Sequence, residues 1–192
     1  AFTSSISGLA YKVAKSPRGL VYPTFPHKDK EGWKRMQSMA PFFFPFMGTE
    51  GADLSKDQTA ESASYPYPIL MTYAAQNADL VYNMTKAMVE TFDQYKGAAP
   101  GNGGWAVERQ NFAWVIPYHD GAIKYWKETG RWKPEHQAHN DKLIGRQKVL
   151  AGAWAVVKKG SYADDKAFAQ AWMKARADAL TKAGMEPVLT SW

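Results

Sequence analysis

The stretch PYHDGAIKYWKETG, residues 117–130, has the pattern of a short amphipathic helix. Asp120 can cap its first turn, because an aspartate side chain accepts hydrogen bonds from the free N–H groups at a helix start. Ile123 and Trp126 are spaced to share one helix face, and Gly130 is typical of the residue that follows a helix. The stretch therefore predicts a helix that begins at Asp120 and ends before Gly130.

Upstream of this stretch, the pattern predicts a buried strand followed by another helix. Ile69–Ala74 is a continuous apolar run of the length of a buried strand. Asp79 can cap a helix that ends at Gly97, since apolar residues recur between them at steps of three and four. These apolar positions are Val81, Met84, Met88, Phe92 and Tyr95.

The remainder of the chain predicts more helix than strand. Leu20–Tyr22 is a plausible short strand, and Asp29 can cap a helix after it. Residues 40–68 are rich in Pro, Gly and Ser and predict an irregular segment, with its Phe cluster in a core or an interface. A further helix is expected over Tyr162–Ala183. The predicted fold class is therefore α/β.

Composition is that of a globular protein and excludes several classes of function. Of the 192 residues, 45% are hydrophobic and 22% are charged. The net charge is +6, but the basic runs Lys28–Lys34 and Lys124–Lys133 are interrupted by acidic residues. No basic stripe of the kind that binds nucleic acid is present. The absence of Cys excludes disulfides, zinc–thiolate sites and thiol catalysis.

No pattern of catalytic residues is recognisable, so neither catalysis nor a cofactor is predicted. No Ser occupies a Gly-x-Ser-x-Gly turn, and the Gly-rich loop at residues 101–104 follows a helix instead of a strand. His136 and His139 are three residues apart, a spacing that can place two imidazoles on one helix face. With Glu135 or Asp141 they leave open a small metal-dependent enzyme, although surface histidines explain the same spacing.

Two polar segments are candidates for binding a small ligand. Thr3, Ser4 and Ser5 supply hydroxyl and backbone N–H groups at an expected strand end, which could cradle a carboxylate. A capped turn is the alternative. Tyr65 and Tyr67 alternate with prolines that hold the two phenols in fixed directions, as a pocket wall or a rigid hinge would require.

Several motifs resemble, in the same order, those of TAXI-type solute receptors of TRAP transporters. Residues 117–130 are similar to the family's His-Pro-Gly-Ala stretch and the Tyr-rich helix after it, with Asp120 where the family usually has Pro. Residues 65–86 resemble a strand followed by a Val-Tyr-x-x-Thr-Lys helix. Ala1-Phe2 is similar to the family's Asp-Ala-Ala-Phe strand end. The resemblance covers residues 1–130.

The resemblance implies a particular fold and division of the chain. The fold would be built from type II periplasmic-binding-protein-like lobes, helix-rich, with a short mixed sheet and with the N-terminal part of the receptor missing. Residues 1–66 would belong to the second lobe, and residues 67–130 would form the crossover and the return to the first lobe. Residues 131–192 would be a C-terminal helical extension that relatives lack.

The resemblance also implies a function without catalysis. The protein would be a periplasmic solute-binding protein that captures a small organic acid and delivers it to the membrane subunits of a TRAP transporter. Thr3, Ser4 and Ser5 would contact the ligand, with Tyr65 and Tyr67 as further candidates. His119 is expected to fix the start of its helix.

A structural or protein-interaction module is a further alternative from the sequence. In this hypothesis the phenylalanine cluster Phe42–Phe46 and the segment Arg131–Trp192 bind a protein partner. The behaviour of the protein in size-exclusion chromatography would separate such a module from a monomeric receptor.

Overall fold

The computed structural model describes residues 4–66 and 68–189. Over these residues the chain is helix-rich, which is consistent with an α/β binding-protein-like domain. The helices are α1 (Gly8–Ala14), α2 (Lys30–Met39), α3 (Ala78–Glu90), α4 (Phe92–Tyr95), α5 (Asp120–Glu128), α6 (Pro134–Val157) and α7 (Asp165–Lys182). The strands are β1 (Phe44–Gly48) and β2 (Ala60–Ser64), and two 3₁₀ turns span Asn102–Trp105 and Val107–Arg109.

The packing of the described residues divides the chain into two units. The first unit contains α1, most of α2, both strands, α4 and the two 3₁₀ turns. The second unit contains most of α3 together with α5, α6 and α7. The division into receptor lobes at residues 66/67 and 130/131 stays a prediction.

The sheet of the first unit is a single antiparallel hairpin. Strands β1 and β2 pair with Phe44 opposite Ser64 and Gly48 opposite Ala60. The predicted mixed sheet is wrong for the described residues, and so is the irregular structure predicted over residues 40–68. The two strands are difficult to recognise in the sequence. Pro45 interrupts β1, although proline is tolerated at a sheet edge. β2 contains Ser and Ala where strands usually have branched or aromatic residues.

The two strands predicted from apolar runs are not formed. Leu20–Tyr22 and Ile69–Ala74 are irregular, and Tyr73 is 88% exposed instead of buried. Apolar residues alone do not make a strand, because the backbone also needs a neighbouring strand for its hydrogen bonds. Tyr22 is held differently, since its hydroxyl donates to the carbonyl oxygen of Ala52 at 2.6 Å.

Helix starts were predicted within a few residues. The predicted Asp29 cap is confirmed, because its Oδ1 accepts a hydrogen bond from the backbone N–H of Gly32 at 2.8 Å. The predicted Asp79 cap is wrong: Asn77 accepts from the N–H of Leu80 at 3.0 Å, and Asp79 lies inside the first turn of α3. Asn and Asp are almost equally good caps, so the sequence did not separate them.

His119, and not Asp120, caps helix α5. Its Nδ1 accepts a hydrogen bond from the backbone N–H of Gly121 at 3.1 Å, and Asp120 is the first residue of the helix. The predicted Asp120 cap is therefore wrong, whereas the prediction that His119 fixes the helix start is confirmed. The buried residues of α5 are Gly121, Ala122, Ile123, Tyr125 and Trp126.

Removing the His119 cap should destabilise the second unit measurably. Because His119→Ala leaves the Gly121 N–H without its side-chain acceptor, the free energy of unfolding should fall by about 0.5–2 kcal/mol. His119→Asn retains an acceptor at this position and should recover most of the loss. Urea unfolding followed by circular dichroism measures both variants. Equal losses for Ala and Asn would show that the cap contributes nothing.

Helices α6 and α7 pack against each other and form the C-terminal part of the second unit. Pro134 is the first residue of α6, a position that tolerates its missing N–H. Leu180 of α7 is fully buried, and the ring of Trp154 on α6 contacts the rings of Phe168 and Trp172 on α7. None of the helices in the described part of the chain combines the length and apolar character needed to cross a membrane.

Candidate functional site

The predicted ligand-binding turn at Ser4 and Ser5 is folded by its own hydrogen bonds. The carbonyl oxygen of Ser4 accepts from the N–H of Ser7 at 3.0 Å, and its Oγ accepts from the N–H of Ile6 at 3.4 Å. The hydroxyl of Ser7 in turn caps α1 by accepting from the N–H of Ala10 at 3.1 Å. The carbonyl oxygen and the Oγ of Ser4 are thus engaged within the turn, with the N–H groups of Ser7 and Ile6 as donors. Thr3 lies outside the described residues.

The same turn is joined to the loop that follows β1. The hydroxyl of Ser5 donates to the carbonyl oxygen of Glu50 at 2.8 Å, and the N–H of Ala52 donates to the carbonyl oxygen of Ser5 at 2.9 Å. Gly51 between them has φ +129°, and a Cβ there would lie 2.6 Å from Ser5 Cβ. Only glycine permits this approach, so the backbone of Glu50 is fixed beside Ser5.

An arginine completes this region of the first unit. Nη2 of Arg109 lies 3.0 Å from Oε1 of Glu50, and a Cβ on Gly103 would lie 3.7 Å from Nη1 of Arg109. The Gly-rich loop also meets the serine turn, because a Cβ on Gly101 would lie 3.0 Å from Cδ1 of Ile6. Glu50 therefore links the serine turn to Arg109, because its carbonyl oxygen accepts from Ser5 and its carboxylate contacts the guanidinium. We name this region the Ser5–Arg109 site; it consists of Ser4, Ser5, Glu50, Gly51, Gly103 and Arg109.

Sequence reasoning missed Glu50 and Arg109. The Gly-rich loop at residues 101–104 lacks the preceding strand of a nucleotide-binding loop, and Arg109 follows it by five residues. A cation close to a Gly-rich loop, in a chain that also has a hydroxyl turn, was a usable signal for anion binding. The pairing with Glu50 across 59 positions was not visible in the sequence.

Tyr65 lies in a different place from the serine turn. Its ring contacts those of Phe42 and Phe43, with centroid distances of 6.4 and 6.1 Å. Tyr65 follows the end of β2 that pairs with the start of β1, whereas Ser5 contacts the loop beyond the end of β1. These ends are about 14 Å apart along a five-residue strand. Tyr67 lies outside the described residues.

The phenylalanine cluster is partly at the surface of the first unit. Phe42 is 36% exposed and Phe46 is 43% exposed, so neither is in a core as one of the two predictions had it. The other prediction, an interface, stays a prediction. Phe46 and Met47 are consecutive residues of β1, so their side chains point to opposite faces of the sheet. Both are exposed, because a two-stranded sheet does not cover both of its faces.

The two histidines considered for a metal site are bound to backbone groups. Nδ1 of His136 accepts from the N–H of Lys133 at 3.2 Å, and Nε2 of His139 donates to the carbonyl oxygen of Trp114 at 2.6 Å. Within residues 4–66 and 68–189, no group of three His, Cys, Asp or Glu side chains is arranged to hold a metal ion.

An aromatic cluster forms much of the core of the second unit. Phe112 is at its centre, and its ring contacts those of Tyr118, Trp126, Trp132 and His136. Burial raises the pKa of the Tyr118 phenol to about 12, so this phenol is neutral at physiological pH. Asn140 accepts a hydrogen bond from the Tyr118 N–H at 2.7 Å. The dense ring contacts indicate a structural core.

A shallow, open depression lies on the polar side of α5. Its volume is about 480 Å³, and it is lined by Asp120, Ile123, Lys124, Lys127, Glu128 and Gln137. Glu128 accepts a hydrogen bond from the Tyr82 hydroxyl at 2.6 Å, and Nζ of Lys124 lies 4.7 Å from the centre of the Tyr82 ring. Two acidic and two basic side chains balance each other here, so the depression has no preference for anions.

Comparisons with known proteins give a family but no individual relative. Residues 24–130, more than half of the chain, match the model of the NMT1-like family. No curated protein and no solved structure matches the chain.

The family match includes Glu50, Tyr65 and Arg109, and it begins after Ser4 and Ser5. It ends at residue 130, as the resemblance expected from the sequence does. This family is of the periplasmic solute-binding type and points to a binding protein instead of an enzyme. The chain belongs to the NMT1-like family of extracytoplasmic solute-binding proteins.

Proposed function

We propose that this protein captures a small organic carboxylate in the periplasm for TRAP-type uptake, as a TAXI-type receptor does. The order of the motifs in residues 65–130 supports the TAXI assignment, and the family match supports the binding role. The observation that supports a carboxylate ligand is the Ser5–Arg109 site. There Glu50 joins a half-exposed guanidinium to the serine turn, because its carboxylate contacts Arg109 and its carbonyl oxygen accepts from Ser5.

The mechanism is binding and delivery without chemistry. The first unit forms part of a type II binding-protein lobe and holds the solute. The protein then releases the solute to the membrane subunits of the transporter. A ligand stabilises whichever conformation it binds better, so closure of lobes around a solute follows from differential affinity alone.

A thermal-shift comparison tests the carboxylate directly. Because a ligand that binds only the folded state adds RT ln(1 + [L]/Kd) to its stability, succinate or L-glutamate at 100 times Kd should add about 2.7 kcal/mol and raise Tm by several degrees. Succinamide has the same carbon skeleton as succinate without the charges and should leave Tm unchanged. Equal Tm values with and without every organic acid tested would contradict the proposed function.

A further inference from the structure

We propose that Arg109 is the residue that holds the carboxylate of the solute, and that Glu50 is an internal carboxylate that occupies Arg109 until the solute displaces it. The inference rests on the proposed function and assigns the charge recognition within it. Glu50 thereby sets a threshold for binding, because a solute must compete with a carboxylate that the protein itself supplies.

The geometry of the ion pair favours displacement. Nη2 of Arg109 lies 3.0 Å from Oε1 of Glu50, a contact between one nitrogen and one oxygen. A guanidinium can hold a carboxylate through two parallel N–H···O bonds, so a bidentate solute gains a bond that this contact does not use. The side chains of Arg109 and Glu50 are 51% and 64% exposed, and exposed pairs of this kind contribute little stability.

The backbone around Glu50 is held by the serine turn, whereas its carboxylate is held by Arg109. The carbonyl oxygen of Glu50 accepts from the hydroxyl of Ser5, and the close approach of Gly51 to Ser5 fixes the chain on the other side. The side chain of Glu50 can therefore rotate away from Arg109 with no change in the loop. An exchange of carboxylates requires such an arrangement, in which the internal carboxylate can leave while the loop that carries it keeps its place.

The 3₁₀ turn presents a glycine to Arg109. Gly103 has no side chain, and a Cβ there would lie 3.7 Å from Nη1, so a larger residue at this position would occupy space beside the guanidinium. Glu50 also adds a negative charge beside the site, which disfavours a second carboxylate close to Arg109. The site therefore suits a ligand that presents one carboxylate group to Arg109.

Three variants test this exchange by titration calorimetry with succinate at low ionic strength. Arg109→Gln removes the guanidinium and should weaken binding by at least about tenfold, since charge-assisted hydrogen bonds are lost. Glu50→Gln removes the competitor and should strengthen binding by about two- to five-fold. Arg18→Gln removes the same charge from an exposed residue of the same unit and should change affinity by less than two-fold.

The outcomes separate the inference from the proposed function. If the wild-type chain binds succinate and Arg109→Gln binds it equally well, the inference is wrong and the proposed function stands. Weaker binding by Glu50→Gln would show that Glu50 helps to bind the solute, which also overturns the inference. An equal loss in Arg18→Gln and Arg109→Gln would reduce the effect to net charge and contradict it. If neither wild type nor Glu50→Gln binds any organic acid tested, both fail. Unchanged melting curves of the variants confirm that each is folded.

Discussion

Trp126→Ala is expected to lower the free energy of unfolding by about 3–5 kcal/mol, the usual loss for truncating a buried tryptophan. Trp126 is 4% exposed, and its ring lies 5.2 Å from that of Phe112 and 5.3 Å from that of Tyr125. Removing the indole leaves a cavity at the centre of the second unit, because the surrounding rings cannot collapse fully into its volume. Urea unfolding followed by far-UV circular dichroism measures the loss.

Trp126→Phe is the matched control for this prediction. The Nε1 group of Trp126 is buried, and no partner for it is found within the described ranges. Phe retains most of the ring contacts and removes this unpaired N–H, whose desolvation costs about 1–3 kcal/mol. We therefore expect Trp126→Phe to lose less than about 2 kcal/mol. An equal loss in the two variants would show that the packing of the rings does not determine the stability of this core.

Gly121→Ala should lower the free energy of unfolding by about 2–3 kcal/mol. A Cβ at this position would lie 2.2 Å from the carbonyl oxygen of Ala78, 2.9 Å from the backbone nitrogen of Tyr82 and 3.0 Å from Cβ of Val81. Two of these atoms belong to the backbone of α3, so no side chain can move aside. The start of α3 and α5 must separate, at a cost that outweighs the higher helix propensity of alanine.

Gly152→Ala in α6 provides the matched control for Gly121→Ala. It is also a helical glycine, and a Cβ there meets no atom within 4 Å. The variant should therefore gain about 0.5–1 kcal/mol from the helix propensity of alanine alone. Thermal unfolding of the two variants should show Tm shifts of opposite sign. A rise in Tm for Gly121→Ala would contradict the close packing of α5 on the start of α3.

Several helices could be predicted from the sequence because their signals are local, whereas α6 was expected only as part of a helical extension over residues 131–192. The Asp29 cap and the helix of residues 120–128 rest on contacts within a few positions, which a capping residue and apolar spacing reveal. His119 could be assigned to the start of α5, although Asp120 was preferred as the cap, since both lie at the right position. The error of one residue is characteristic of helix boundaries.

The sheet and the site could not be predicted, because both depend on distant residues. Pro45 interrupts the aromatic residues of β1, and β2 consists mostly of Ala and Ser, so neither is an obvious strand by itself. Their pairing gives them that structure. Ile69–Ala74 has the apolar pattern of a strand, but in the described part of the chain it is not paired with one. The contact of Ser5 with Glu50 spans 45 positions and that of Glu50 with Arg109 spans 59. The sequence indicated the serine turn as a candidate and not the charge next to it.

A titration of the ¹⁵N-labelled protein with succinate, followed by the backbone amide signals, tests most directly whether a carboxylate binds at the Ser5–Arg109 site. We expect concentration-dependent shifts at Ser5, Glu50, Gly51, Gly103 and Arg109, with the signals of α6 and α7 unchanged and with no response to succinamide. An unchanged spectrum would contradict binding at this site. Shifts confined to Phe42, Phe43 and Tyr65, or to the depression beside α5, would contradict it as well.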